Sequence, residues 1–324
     1  MYSRLGRSVY SYLILFVVLF WIRFINYHHS FYKNPIIFLH QESRYESSDF
    51  DLNRGSLFGV TLIRNKAPFL KEWLDFHLAQ GFDQFIIYNH NVSDEYSIDV
   101  LLPYIVKNQV ILIDAMATAP YACDFHLEGY NPHWYSYCQD ICFTHGMEIV
   151  RHNTIRHEAW VLQFDIDEYV FGLKGKCFRD AFDQIKENYD VVHMKGFTFG
   201  TIFFEYNQRF SSVIHSHFLR APSYLNATDH KKLILVTSPW PFWTTTHDVT
   251  CYLDMCNRQR LPHQNDWIRF HHYQYISNEE AKLKAKTNTN LEYVKIIENP
   301  AHIEFFNSVY DESILNVTIC PSIF

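Results

Sequence analysis

Between Leu57 and Asp165 the chain alternates short apolar runs with stretches of helical period, and few other features narrow the choice of fold as much. Phe58–Ile63 (FGVTLI), Gln84–Tyr88 (QFIIY), Val110–Ile113 (VILI) and Ala159–Phe164 (AWVLQF) read as buried strands, because each run is too short for a helix and ends in polar residues. Between the first two, Pro68 suits a first helical turn, Leu70, Trp73, Leu74 and Leu78 recur at helical spacing, and Gly81 stands where a C-terminal cap belongs. Ile98–Ile105, Tyr135–His152 and Phe178–Asn188 read as further helices, and Val191–Met194 as a strand. Strand and helix in alternation predict an α/β fold with a mostly parallel sheet covered on both faces, whose ligands bind beyond the carboxyl ends of the strands. Beyond Phe197 the aromatic-rich chain gives no clear period.

The N-terminus obeys a different rule. Arg4 and Arg7 precede an apolar run from Tyr10 to Ile22, and Arg23 follows it; Ser8–Tyr27 gives roughly the 20 residues a helix needs to cross a bilayer, with Arg23 snorkelling. No small-x-small cleavage site follows, so the segment reads as a retained signal-anchor with the arginine pair on the cytoplasmic side. The expected organisation is a cytoplasmic tail at 1–7, a single transmembrane helix at 8–27, a polar stem at 28–56 and a lumenal domain at 57–324. Sequons at Asn91, Asn226 and Asn316 are compatible with that topology. Seven cysteines in an oxidising lumen allow up to three disulfides and one free thiol, and without a CxxC pair a zinc site is not expected.

Composition excludes more than it selects. A net charge of −7 and a pI near 6.2 leave no broad basic face, so no nucleic-acid partner is expected. Ten glycines include neither GxGxxG nor GxxxxGK[ST], which argues against dinucleotide or P-loop chemistry.

Chemistry concentrates at Phe164-Asp165-Ile166-Asp167-Glu168-Tyr169, where an apolar strand runs into three acids within four residues. In extended chain, residues two apart face the same way, so Asp165 and Asp167 are expected to project together while Ile166 turns to the core. Such a pair suits a hard divalent cation shared with donor phosphates. His126, His133, His145, His152 and His157 cluster in sequence but fit no zinc template, and read as surface or hydrogen-bonded core groups. Trp240, Phe242 and Trp243 beside Pro239 and Pro241 read as a stiff, ring-lined loop suited to stacking on a sugar face, although a simply packed loop is the commoner cause of such a cluster.

Several blocks in order resemble glycosyltransferase family 92. They are Leu62–Lys66, Phe69–Leu78, Gly81-Phe82, Phe85–Asn89 with Ser93-Asp94, then Trp160–Tyr169, Lys231–Leu235 with His247-Asp248-Val249, and His271-His272-Tyr273 with Ser277, Glu279, Glu280 and Lys284. The resemblance implies a GT-A fold, an α/β/α sandwich for nucleotide sugars. It also implies inverting transfer of a sugar, often galactose, from a UDP-sugar donor to a glycan acceptor, with Mn2+ or another divalent cation and residence in the Golgi membrane. By position it implies Asp165, Asp167 and His247 at the metal, and Arg64, Asn65, Asn89, Asp94, Asp165 and His272 around the donor. Asn89, where many members carry an acid, and Phe199-Gly200-Thr201, where many carry Phe-Gly-Ser, depart from the pattern. An acceptor hydroxyl needs a base, and Glu168, Glu205 and Asp229 are candidates among which the sequence does not decide. Two other readings are a lectin-like protein that keeps the fold without turnover, and a family-2-like transferase of another sugar.

Overall fold

The computed structural model describes residues 56–64, 67–90, 95–123, 132–154, 158–199, 213, 219–220, 230–239, 241–244, 248–261, 267–273, 309–310 and 313–321. The expected tail and membrane helix, and the expected stem up to residue 55, lie outside them; Ser56, given to the stem, is the first residue of a strand. Among the described residues no helix is long and apolar enough to cross a membrane.

The chain opens as its alternation predicts: β1 Ser56–Ile63, α1 Ala67–Ala79, β2 Gln84–Asn89, α2 Glu95–Val106 and β3 Val110–Asp114. Two short helices, α3 Ala115–Thr118 and α4 Pro120–Cys123, lead to the long α5, Pro132–Asn153, and back to β4, Ala159–Gln163. Then come β5 Glu168–Gly172, α6 Phe178–Phe182, β6 Val191–Thr198, β7 Leu219–Arg220, β8 His230–Leu235, β9 Pro241–Thr244, β10 Val249–Cys251, β11 Arg258–Arg260, β12 Ile268–His272 and β13 Val309–Tyr310. Helix α6 is shorter than the expected 178–188, because the chain turns after Phe182 and Asn188 takes φ 68°, which ends any continuation.

The central sheet is mostly parallel, in the order β3-β2-β1-β4-β8-β6-β12-β5, with β11 added beside β6. Strands β1 to β4 form a parallel half, and β8 joins it antiparallel to both β4 and β6. Two successive crossovers place β2 and β3 on one side of β1, while β4 lies on the other, so the strand order reverses between β1 and β4. That reversal opens a crevice at the carboxyl ends of the two strands.

Helices cover both faces. Leu70, Trp73 and Leu74 of α1 join Phe85, Leu162 and Phe164 in the core. On the opposite face α5 comes so close that a Cβ on Gly146 would sit 2.7 Å from Val60. Ring packing dominates near α1, where Trp73 lies 4.7 Å from Phe164 and 5.1 Å edge-on to Phe85. His77 is buried among these rings, its Nδ1–H donating to the Trp73 carbonyl and its Nε2 accepting from the Val170 N–H. Desolvation pushes its pKa down to about 3, so it stays neutral and stitches α1 to β5.

Three disulfides are present, Cys123–Cys138, Cys177–Cys320 and Cys251–Cys256, and Cys142 is a buried thiol.

Candidate functional site

Parallel pairing lines up the carboxyl ends of the first strands, with Ile63 of β1 beside Asn89 of β2 and Asn89 beside Asp114 of β3. Arg64, one residue on, is exposed, while Asn89 is buried. Asp114 is committed locally, since its carboxylate caps α3 by accepting from the Met116 and Ala117 N–H groups.

Across the crevice the acidic motif follows β4, but not as extended chain. The strand stops at Gln163, residues 166–167 form a turn, and the Glu168 N–H returns to the Asp165 carbonyl at 3.1 Å. The strand pleat therefore does not orient the two aspartates. The Glu168 side chain bends back to accept from the Asp165 N–H at 2.6 Å, and the turn satisfies backbone groups that a continuing strand would have paired. Ile166 is buried, as expected.

Each aspartate then meets its own neighbours. Gln139 of α5 donates to Asp165 Oδ1 at 2.7 Å, and the Lys231 ammonium lies 3.8 Å from Oδ2. Asp167 is buried and faces His272, whose Nε2 lies 3.7 Å from Oδ1. The contact follows from register: β12 pairs antiparallel with β5 so that His272 lies opposite Glu168, and the next N–H, of Tyr273, donates to the Asp167 carbonyl at 2.7 Å.

Beneath the turn lies a buried ion pair, Lys231 Nζ to Glu168 Oε1 at 2.8 Å, with both side chains 2% exposed. Burial pushes Glu168 up to about 7 against the pull of Lys231. Burial also works against the Lys231 ammonium, but Glu168, Asp165 and Asp167 outweigh it and raise its pKa. Trp73 donates its indole N–H to the Glu168 carbonyl at 2.9 Å, so the main helix of the opposite layer holds the same turn. On the other face of β8, burial and the charge of Lys231 push Lys232 down to about 7.

The structure thus brings together Asp165, Asp167, Glu168 and His272, with Arg64 and Asn89 at the ends of β1 and β2. Glu168 has both carboxylate oxygens engaged. Asn65, Asp94, Glu205, Asp229 and His247 lie outside the described residues, as does Trp240. Sequence reasoning gave no role to Gln139 or Lys231. Two lysines running straight into an apolar stretch, Lys231-Lys232-Leu233-Ile234-Leu235, were the available signal for Lys231; Gln139 had none.

The donor chemistry suits a hard cation. Two ligands held roughly 2.1 Å from an ion stand about 3–4 Å apart, and the Asp167–His272 separation falls in that range. Asp165 offers a partly exposed carboxylate two residues away, which does not converge with Asp167 and His272. Among the described residues, three ligand atoms converge only at Cys123, Cys138 and Cys142 and at Cys177, Asp180 and Cys320, and each of those groups contains a disulfide.

No family model matches the chain, and no curated protein matches it in sequence. Among solved structures it is similar to HddC from Yersinia pseudotuberculosis, at 11% identity over 71% of this chain and 98% of that one, with a TM-score of 0.34. A likeness of that size bears on neither fold class nor function.

Proposed function

We propose that the chain is a metal-dependent inverting glycosyltransferase of GT-A type, related to family 92, that moves a sugar, galactose first among candidates, from a UDP-sugar to a glycan acceptor. One observation carries the reading. The Asp165–Asp167 turn stands at the carboxyl end of β4, beside the crevice where strand order reverses, with His272 brought to Asp167 from a strand a hundred residues further on.

Asp167 and His272, whose Oδ1 and Nε2 stand 3.7 Å apart, would hold Mn2+ or another divalent cation. Asp165 and His247 keep the metal role that the resemblance gives them, Asp165 reaching the ion by a side-chain shift, because its carboxylate does not converge with the other two in this structure. Once bound, the cation supplies neutralisation of the charge that builds on the departing diphosphate. The protein's own groups do the rest. Arg64 and Asn89 bind the nucleotide from the ends of β1 and β2. Gln139 and Lys231 hold the Asp165 carboxylate by hydrogen bond and charge. Glu168, occupied by Lys231 and by the Asp165 N–H, positions the turn, which leaves the base role to Glu205 or Asp229. On the same reading, the 8–27 segment anchors the chain as a single-pass type II protein of the Golgi membrane.

The test is turnover by the full chain across a panel of UDP-sugars, with manganese and with chelator. Manganese-dependent release of UDP from one donor, coupled to an acceptor, names the sugar. Donor binding without turnover in any condition favours the lectin-like alternative.

A further inference from the structure

The 3-10 turn Ser313–Asn316 and the residues after it cross from β12 to the end of α1 and are fastened on the way. At the near end the Ser313 hydroxyl accepts from the Arg269 guanidinium of β12 at 3.1 Å. At the far end the Cys320 N–H donates to the Ala79 carbonyl, and its sulfur is bonded to Cys177. Between the two, the Gln80 amide donates to the Thr318 carbonyl at 3.0 Å. Ile314 is buried, and Leu315 and Val317, on either side of Asn316, pack against the same core. Asn316 itself is exposed, and among the described residues its amide has no hydrogen-bond partner.

That exposed asparagine opens the sequon Asn316-Val317-Thr318, which has no proline at its centre. The proposed anchor sets the domain in an oxidising lumen, where disulfides form and where N-linked glycans are attached. Of the three sequons this one lies within the described residues; Asn91 and Asn226 lie outside them. A bulky glycan on Asn316 leaves its neighbours in place, because the segment is held by backbone bonds, apolar side chains and Cys320 rather than by the Asn316 amide.

The finished segment is nevertheless a poor substrate for attachment. A transferase must draw the sequon and its flanks into its own cleft, whereas here Val317 is packed on the core and the Thr318 carbonyl is bonded to Gln80. Lifting the sequon strips Ile314, Leu315 and Val317 of their burial, and two residues beyond Thr318 the chain is tied covalently to Cys177. A stretch with that much burial and bonding opens rarely.

We propose that Asn316 carries an N-linked glycan, attached before Cys320 closes on Cys177. In the transfer, the amide nitrogen bonds to the anomeric carbon of a lipid-diphosphate-linked oligosaccharide. The lipid diphosphate departs with the electron pair of the broken bond, and one amide proton is released. The segment then settles with the glycan outward, and the disulfide locks it. The inference rests on the lumenal topology of the proposed anchor and not on the sugar-transfer activity.

The experiment translates the full chain with microsomes, in a background of Asn91→Gln and Asn226→Gln that leaves Asn316 in the one remaining sequon. Protease protection of the same microsomes reports topology independently, and neither readout requires a variant to fold. The expected result is a protected chain heavier by one glycan, the increment being removed by peptide N-glycosidase and missing in Asn316→Gln. A protected chain without the increment overturns the site and leaves the topology standing. A chain open to protease overturns both. The order of events is tested in microsomes depleted of lipid-linked oligosaccharide, where disulfides close first and the donor is supplied afterwards. Late transfer to Cys320→Ser, but not to the chain that keeps Cys320, is expected. Late transfer to both, or to neither, overturns the part given to the disulfide.

Discussion

The carboxyl and amino edges of the same sheet are built from opposite materials. At the carboxyl edge, Asp165, Asp167, Glu168, Lys231 and His272 crowd together with little solvent, and each is held by a named partner. The amino edge is fastened by the Cys177–Cys320 disulfide and the Arg179–Asp83 pair, and presents Leu253, Val106 and Trp267 to solvent. Buried charge is costly unless it is paired, whereas exposed apolar surface is tolerated singly, so the first edge needs an explanation beyond packing and the second does not.

Covalent fastening at the amino edge should be the larger contributor to stability. Cys177–Cys320 closes a loop with a sequence separation of 143, and Cys320→Ser is expected to cost about 4 kcal/mol in urea unfolding. At the carboxyl edge, Lys231→Met strands the Glu168 carboxylate; the expected loss is roughly 3 kcal/mol, the low end for a broken buried pair, because Glu168 at about 7 can take up a proton. Lys231→Met with Glu168→Gln should recover part of that loss, and a double variant no more stable than the single one would break the pairing account.

Acid should act through the core between the edges. His77 is pushed down to about 3 and His145 to about 4, both by burial, so the unfolded chain takes up protons near pH 6.5 before the folded chain does. Their stabilising contribution is complete above about pH 6.5 and falls as pH drops toward those values. For His77 alone the loss by pH 4 is ~3 kcal/mol, and urea midpoints at pH 7 and pH 4 should narrow in His77→Gln. The smallest effect is expected at the Cys251–Cys256 knuckle: Leu253→Asp, on a side chain 77% exposed, should leave the stability read from the urea midpoint within about 0.5 kcal/mol of the native protein.

Legibility in the sequence followed the range of the interactions. Strands β1 to β4 and helices α1, α2 and α5 appear close to where periodicity places them, because each buries a face defined by its own residues. Strands β8 and β12 did not show themselves. Their place depends on antiparallel pairing with β4, β6 and β5 across tens of residues, and nothing local in Lys231–Leu235 or Ile268–His272 states that register. The same reason explains the site. Asp165 and Asp167 could be found from three acids after an apolar run, but the turn that orients them depends on Glu168, Trp73 and Tyr273. His272, expected near the donor, lies beside Asp167 because of a register set a hundred residues away.

The central claim, that the carboxyl edge is a cation-dependent nucleotide-sugar site, is tested most directly by UDP binding to the full chain, measured calorimetrically with and without manganese, in the native protein and in Asp167→Ala and His272→Ala. The account predicts binding that needs manganese and weakens by ~10–100-fold in each variant. UDP binding of equal strength without manganese and in Asp167→Ala would contradict it.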